Sequence, residues 1–547
     1  MALIFCSQYP LSAQTKRAPI FKDVAEQAGL KFQHYNGMTG KFYLPEIMGS
    51  GAALFDFDND GDLDVFLVQG NVLEPNTQPQ HTLFPWRGPE PPRGRIFRND
   101  LGKAISFTDV TDKSGIHATG YGMGAAVGDI NNDGLPDLYL TNLGSNQMYL
   151  NQGGGKFVDV TKESGTDDSR WSTSASFFDY DRDGWLDLMV VNYADFSVTN
   201  NPTCYAATTA KDYCTPRVFR APGNRLFHNK GNGTFEDVTS TAGVDKEFGH
   251  GLGVVTADFN NDGWIDIYVA NDGDPNQLWT NQKNGTFVND ALLAGCAVNR
   301  NGQAEAGMGV DAGDFDGNGT EDLFVTHLME ETNTLYVNLG QGLFEDRSRE
   351  SGLAVPGHRF TGFGTSFFDY DNDGWLDLLV VNGAVQLLPG LGQPKQLFRN
   401  NGKRGFVEIV AEEFQALEVS RGAAFGDIDN DGDTDVLVTN NNGPARLFLN
   451  QVGNRNHWIG LRLVGKNGRD MLGAQVGVVV DNDILWRRVR TDGSYLSASD
   501  ARVLVGLGAA TRVKAVRVRW PDGTTEEWKD LLADRYVVLK QGQQGRI

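Results

Sequence analysis

The feature that most constrains this chain is a nine-residue pattern, D-x-D/N-x-D/N-G-x-x-D, present seven times. It reads DFDNDGDLD at 56–64, DINNDGLPD at 129–137, DYDRDGWLD at 179–187 and DFNNDGWID at 258–266. It returns as DFDGNGTED at 314–322, DYDNDGWLD at 369–377 and DIDNDGDTD at 427–435. The starts are separated by 73, 50, 79, 56, 55 and 58 residues. Repetition on this scale decides the architecture, because each unit must bury its apolar face against its neighbours. Each copy runs into a short apolar segment (VFLVQG, LYLTN, LMVVN, IYVAN, LFVTH, LLVVN, VLVTN) with the β-branched content of a strand. A Gly-rich segment such as GSGAALFDF or GMGAAVGDI precedes the loop and reads as another strand. Most units then add an apolar segment, a Gly/Asn turn and F-x-D-V-T, as in LFHNKGNGTFEDVT, which is a hairpin signal. Four strands in about 50–60 residues is the arithmetic of a propeller blade.

The count also closes on itself. The seventh unit has its third strand in ARLFLNQ, but no F-x-D-V follows. The missing piece stands at the other end of the chain, as FKDVAEQAGL at 21–30. The expected fold is therefore all-β, a seven-bladed β-propeller over residues 20–453 whose last blade is completed by the N-terminal strand. An open stack would leave a bare strand edge at each end.

Carboxylates at positions 1, 3, 5 and 9 gather several hard oxygens around one small volume. Calcium takes six to eight oxygens, and the Gly at position 6 permits the turn between them. Without a cation the crowded charges would repel one another. An EF-hand is excluded, since it needs Glu at position 12 and flanking helices. Here position 12 is Leu67, Leu140, Val190, Val269, Val325, Val380 or Val438, each inside a predicted strand.

These repeats resemble the FG-GAP/VCBS propeller family, also seen in integrin α-subunit heads. The resemblance implies side-chain ligands at positions 1, 3, 5 and 9 and a backbone carbonyl at position 7, for up to seven Ca²⁺. In the first loop these are Asp56, Asp58, Asp60 and Asp64, with the carbonyl of Asp62. The second has Asp129, Asn131, Asp133 and Asp137, with Leu135; the third has Asp179, Asp181, Asp183 and Asp187, with Trp185. The fourth has Asp258, Asn260, Asp262 and Asp266, with Trp264; the fifth has Asp314, Asp316, Asn318 and Asp322, with Thr320. The sixth has Asp369, Asp371, Asp373 and Asp377, with Trp375; the seventh has Asp427, Asp429, Asp431 and Asp435, with Asp433. Loops with one Asn carry less charge and are expected to bind more weakly. Positions 1, 3, 5 and 9 hold 25 of the 70 acidic residues, and seven calcium ions would bring the formal charge from −22 to −8. Much of the acidity is then ligand charge.

After residue 453 the repeat stops. Segments such as NHWIGLRLVG, RVKAVRVRW and RYVVLKQG read as strands of a smaller β domain, 454–547. This part resembles the ASPIC/UnbV domain, with G-L-G at 506–508 and W-P-D-G at 520–523. Arg487, Arg488, Arg490, Arg512, Lys514, Arg517 and Arg519 give it a locally basic face, and alternation puts Arg517 and Arg519 on one solvated side. Two insertions break the blade rhythm: the Pro-rich 71–95, with Trp86, and 193–225, with Cys204, Tyr205, Tyr213 and Cys214. Long loops on a rigid scaffold commonly carry binding, and these are the expected partner surface. Cys204 and Cys214 are placed for a disulfide in an oxidising compartment, and Cys296 in LLAGCAV reads as a core residue. The start, MALIFCSQYPLSAQ, resembles the end of a signal peptide, so residues 1–19 are expected to be a partial leader that includes Cys6.

The net acidity argues against a nucleic-acid partner and against an anionic membrane surface. No run approaches the roughly 18 apolar residues of a membrane span. The sequence carries no HExxH, G-x-S-x-G, P-loop or C-x-x-C motif, and its eight histidines are scattered; His250 and His327 read as blade packing residues. The expectation is a secreted, calcium-binding scaffold for a protein or glycan ligand, placed outside the cell, in a periplasm or on the cell surface. Two alternatives stand beside it: a carbohydrate lyase or hydrolase working on the propeller's central face, and a structural subunit of a surface assembly.

Overall fold

The computed structural model describes residues 18–543, apart from 207–208, 387–389 and 403–404. Most of the expected leader, with Cys6, lies outside the described residues.

Seven antiparallel four-stranded sheets form among the described residues of the repeat region. The first comprises Ala52–Phe55, Asp64–Leu67, Arg95–Asn99 and Phe107–Asp109, and the next five follow the same order. Every acidic loop joins the first strand of its sheet to the second. The last sheet takes Ser420–Gly426, Asp435–Asn440 and Arg446–Asn450 from one end of the repeats and Phe21–Asp23 from the other. Phe21 lies opposite Asn450 and Asp23 opposite Phe448. First strands of neighbouring blades touch all the way round, and the seventh meets the first. The ring is closed.

The F-x-D-V element explains how blades pack. Its Phe, at positions 21, 107, 157, 235, 287, 344 and 406, is buried in each blade. Each such side chain removes apolar area worth about 1.5–3 kcal/mol from water.

Beyond the ring, a three-stranded sheet (Val503–Gly508, His457–Val464, Tyr536–Lys540) faces a four-stranded one (Asp483–Arg488, Gln475–Val480, Arg512–Arg519, Thr525–Leu532). The core between them holds Ile459, Val478, Val516, Trp520 and Trp528, and runs without a break into Phe177 and Leu188 of the propeller. This domain sits on the acidic-loop side of the ring: the Gly508 amide donates to Asn372 O at 2.9 Å, and the Tyr536 hydroxyl to Asp427 Oδ2 at 2.7 Å.

From it the segment 489–502 enters the axial channel. The Ala125 and Val310 amides donate to Leu496 O and Ser494 O at 3.1 and 3.0 Å, and the Ala498 amide donates to Ala52 O at 2.8 Å. Asp492 Oδ2 accepts from Thr256 N and Ser176 Oγ, both at 2.8 Å. At the tip, Tyr495 is fully buried and its hydroxyl donates to Met48 O at 3.2 Å, on the far side of the ring. The channel is filled by the chain itself. This explains the glycines ahead of the loops: a Cβ on Gly51 would strike Leu496 O, and one on Gly422 would lie 2.7 Å from Ser497 Oγ.

The far side is capped by the helical turn Pro45–Met48 and by Tyr193, Phe196, Cys214 and Phe219 of the second insertion, packed around Trp171 and Tyr495. Those residues anchor the insertion on the ring while most of its other described residues stay exposed or half-buried, and Cys204 and Cys214 are joined in a disulfide. Cys296, His250 and His327 are buried as expected, His250 bonding Asp274 Oδ2 at 2.7 Å.

The basic residues of the C-terminal domain do not share a face. Arg488 and Arg490 turn toward the propeller, Arg490 pairing with Asp311, and Arg487 Nη2 donates to Gly374 O at 3.1 Å. Arg512, Lys514 and Arg517 are exposed on the opposite side, with Arg519 half-buried. The reason is the buried acidic rim, which needs counter-charge at the domain interface.

Candidate cation sites on the acidic loops

Each loop is wound by its own aspartates. In the first, the Asp60 and Gly61 amides donate to the two oxygens of Asp56 at 3.1 and 3.0 Å, and the Asp62 amide donates to Asp60 Oδ1 at 3.0 Å. Position 4 is left-handed throughout: Asn59, Asn132, Arg182, Asn261, Asn372 and Asn430 have φ of 52–65°, and Gly317 has 70°. From there a side chain reaches the position-6 carbonyl of a neighbouring loop, Asn59 to Gly134, Asn132 to Gly184, Asn372 to Gly432 and Asn430 to Gly61, at 2.8–3.2 Å. Arg182 makes the corresponding bond to Gly263. Among the described residues, five of the seven steps around the belt of loops are linked in this way.

The position-9 aspartates Asp64, Asp137, Asp187, Asp266, Asp322, Asp377 and Asp435 are buried beneath the loops. One oxygen accepts from the position-2 amide, as Asp64 Oδ2 does from Phe57 N at 3.0 Å. The other accepts from the amide of an asparagine ending the third strand: Asn99, Asn151, Asn229, Asn281, Asn338, Asn400 and Asn450, at 2.7–2.9 Å. Each asparagine side chain then donates to a position-2 carbonyl of the preceding blade: Ile428, Phe57, Ile130, Tyr180, Phe259, Phe315 and Tyr370, at 2.7–3.0 Å. This stitching was missed in the sequence reading. Its signal is the Asn closing RIFRN, QMYLN, RLFHN, QLWTN, TLYVN, QLFRN and RLFLN.

Three carboxylates approach within 4.8 Å of one another, oxygen to oxygen, in loop 1 (Asp56, Asp58, Asp64), loop 3 (Asp179, Asp181, Asp183), loop 5 (Asp314, Asp316, Asp322) and loop 6 (Asp369, Asp371, Asp377). Burial drives their protonation upward. Asp56, Asp179, Asp258, Asp314 and Asp427 are pushed to about 6, Asp369 to about 8 and Asp64 to about 9, and neighbouring carboxylates add to the rise. Buried oxygens of Asp58, Asp179, Asp371 and Asp429 have no hydrogen-bond partner. Crowded, desolvated and orphaned oxygens of this kind fit a hard cation, and the repeated donor set of carboxylates, amide oxygens and a turn carbonyl suits calcium.

The belt is not uniform. Arg399 reaches into loop 6, 2.9 Å from Asp371 Oδ2 and 3.0 Å from Asp373 Oδ2. Lys283 lies 3.2 Å from Asp262 Oδ2 in loop 4. Loop 7 touches the C-terminal domain, where Arg502 donates to Asp427 O and Asn430 Oδ1, both at 2.7 Å. In the G-L-G signature, a Cβ on Gly506 would collide with Asp369 Oδ2 and Asn372, so glycine is required for the domain to seat on loop 6.

Fold and belt together define a repeat propeller with one acidic loop per blade and a C-terminal β domain seated on those loops. The FG-GAP-like repeat model matches residues 56–140, 129–190, 218–269, 258–325 and 314–380, more than half of the chain. The chain belongs to the FG-GAP-like repeat family, and residues 464–546 match the ASPIC and UnbV domain. Among named proteins it is similar to cartilage acidic protein 1. The Mus musculus protein is 32% identical over 185 residues, 32% of this chain and 27% of its own length. The Xenopus tropicalis protein is 26% identical over 310 residues, 55% of this chain and 38% of its own. The chain thus spans about a quarter to two fifths of these relatives. Similar solved structures include YCF48 bound to D1 peptide (7% identity, 81% of this chain and 100% of that one, TM-score 0.42). Another is an Agrocybe aegerita lectin recognising non-reducing terminal N-acetylglucosamine (15%, 66% and 90%, TM-score 0.38). Among the described residues no helix is long and apolar enough to cross a membrane.

Proposed function

We propose that the chain is an exported binding scaffold, stiffened by calcium in its loop belt, that presents a protein- or glycan-binding surface on the side away from the C-terminal domain. In this reading Asp, Asn and position-7 carbonyl groups of the seven loops hold the ions, and bound Ca²⁺ supplies positive charge that lets their carboxylates stay ionised together. Calcium at the millimolar levels found outside cells suits such sites, and the Cys204–Cys214 disulfide suits an oxidising compartment.

The observation that carries binding over catalysis is the plug. A propeller enzyme gathers groups from several blades around the axis, and here Arg490–Ala498 occupy that space. A groove of about 730 Å³ stays open between residues 31–35 and the first insertion. Trp86 packs against Tyr35 at 5.6 Å along it, and Leu83 and Phe84 are exposed beside it. His34 lies on its wall, buried; its Nδ1 accepts from Asn442 N at 3.0 Å, which leaves the proton on Nε2, and Nε2 has no partner. Aromatic faces of this kind suit a ligand with an apolar face.

The test is a glycan array probed with the full chain in millimolar calcium, repeated with Trp86→Ala. Retained glycans that are lost in the variant support the reading. Binding indifferent to Trp86 would move the partner surface elsewhere, and product released from a polysaccharide would overturn the scaffold assignment.

A further inference from the structure

The third loop is built unlike the other six. In those, the position-5 amide donates to position-1 Oδ1, as Asp262 N does to Asp258 Oδ1 at 2.9 Å and Asp431 N to Asp427 Oδ1 at 3.1 Å. In the third, Asp183 N turns only to Asp181 Oδ1, at 3.2 Å. Asp179 Oδ1 is left without a partner although Asp179 is 5% exposed. One oxygen each of Asp179, Asp181 and Asp183 lie within 4.8 Å of one another.

A nitrogen donor stands beside it, in a second group that shares Asp181: one ligand atom each of Asp181, Asp187 and His228 lie within 4.8 Å of one another. The residue before the stitching asparagine is Arg98, Leu150, Thr280, Val337, Arg399 or Leu449 in the other blades, and in the third it is His228. Its Nδ1 lies 3.1 Å from Asp187 Oδ1 and 3.4 Å from Asp181 Oδ2. Donors bound to one ion at about 2.1 Å stand about 3.0–3.4 Å apart along the edge of an octahedron or tetrahedron. Calcium binds oxygen at longer distances and does not select imidazole, whereas Zn²⁺, Co²⁺, Ni²⁺ and Cu²⁺ do.

We propose that the third loop is a first-row transition-metal site formed by Asp181, Asp187 and His228, with Asp179 beside it, and that the metal takes the place of calcium in this loop alone. This rests on the reading of the loops as cation sites.

Cobalt(II) is the probe, titrated into full-length protein held in excess calcium. The visible d–d bands report the ligand set, and elemental analysis of the same samples reports both metals. One equivalent of cobalt should bind, at least about tenfold tighter than any further equivalent, with one calcium released. His228→Leu, which installs the side chain found at positions 150 and 449, should abolish that equivalent and keep calcium in the loop. Cu²⁺ in its place should show nitrogen hyperfine splitting that the variant lacks. If calcium fills the loops but cobalt binding is absent, or unchanged by His228→Leu, the inference fails and the calcium reading stands. If neither metal binds, the calcium reading fails first. Thermal unfolding of the variant in calcium, expected unchanged, separates loss of the site from loss of the fold.

Discussion

Single residues in this molecule are read best through what they lose on burial. Glu46 is fully buried in the cap, accepting from Thr39 N at 3.3 Å and from the Tyr213 hydroxyl at 3.1 Å. Burial lifts its carboxyl from 4.5 to about 7. A folded state that holds a proton more tightly than the unfolded chain has its extra stability in full below the unfolded value. That stability is lost as pH rises through about 7. In excess calcium, we expect the wild-type Tm to fall between pH 5 and 8 and Glu46→Gln to flatten this fall; equal slopes in calorimetry would contradict the assignment. Nothing in PEIM marks this glutamate in sequence, because its burial depends on an insertion more than 150 residues away. The acidic loops are the opposite case. Their spacing is local, and it marks the candidate carboxylate, amide and carbonyl ligands of the loops before any fold is known, though not His228, which stands outside the pattern.

Among the elements, strand count and ring closure were legible because periodicity and the displaced F-x-D-V segment are both local signals. The basic face of the C-terminal domain was misread because strand alternation says which residues share a side, not what covers that side. The stitching asparagines were hidden for a similar reason: their partners lie in another blade. Each holds an amide across a buried blade boundary, so Asn229→Ala should leave the carbonyls of Ile130 and Leu186 unpaired. We expect a loss of about 2 kcal/mol, measured as a lowered midpoint in denaturant, whereas Asn232→Ala in the exposed turn nearby should change little. Equal effects would remove the stitching role. Arg399→Ala should strengthen calcium binding at loop 6, since the guanidinium that shares Asp371 and Asp373 would be gone. Calorimetric titration reads this as one site of raised affinity; no change would mean the arginine leaves when the ion arrives.

At the scale of the whole molecule, the C-terminal domain and the ring form one body through the plug. No repeat or motif announces the segment VRTDGSYLSASDAR as a channel filler, since its partners are backbone groups of several blades. The glycines of the inner strands carried that information in unreadable form. Tyr495→Ala would empty a fully buried site and should cost about 3–5 kcal/mol, visible as a lower Tm with ring and domain still melting together. Two separated transitions in the wild type would contradict the single body. The far side of the ring then remains for a partner, which is why the groove beside Trp86 and Tyr35 is favoured over the axis. All of this depends on the belt, where burial raises the proton affinity of a carboxylate in each of the seven loops. The most direct test is thermal unfolding of the purified chain in millimolar calcium and in EDTA, with elemental analysis of the calcium form. The account predicts several bound ions per chain, up to one per loop, and a large fall in Tm on chelation, because an ion held only by the folded state adds to its stability. An unchanged Tm with no calcium in the purified protein would contradict it.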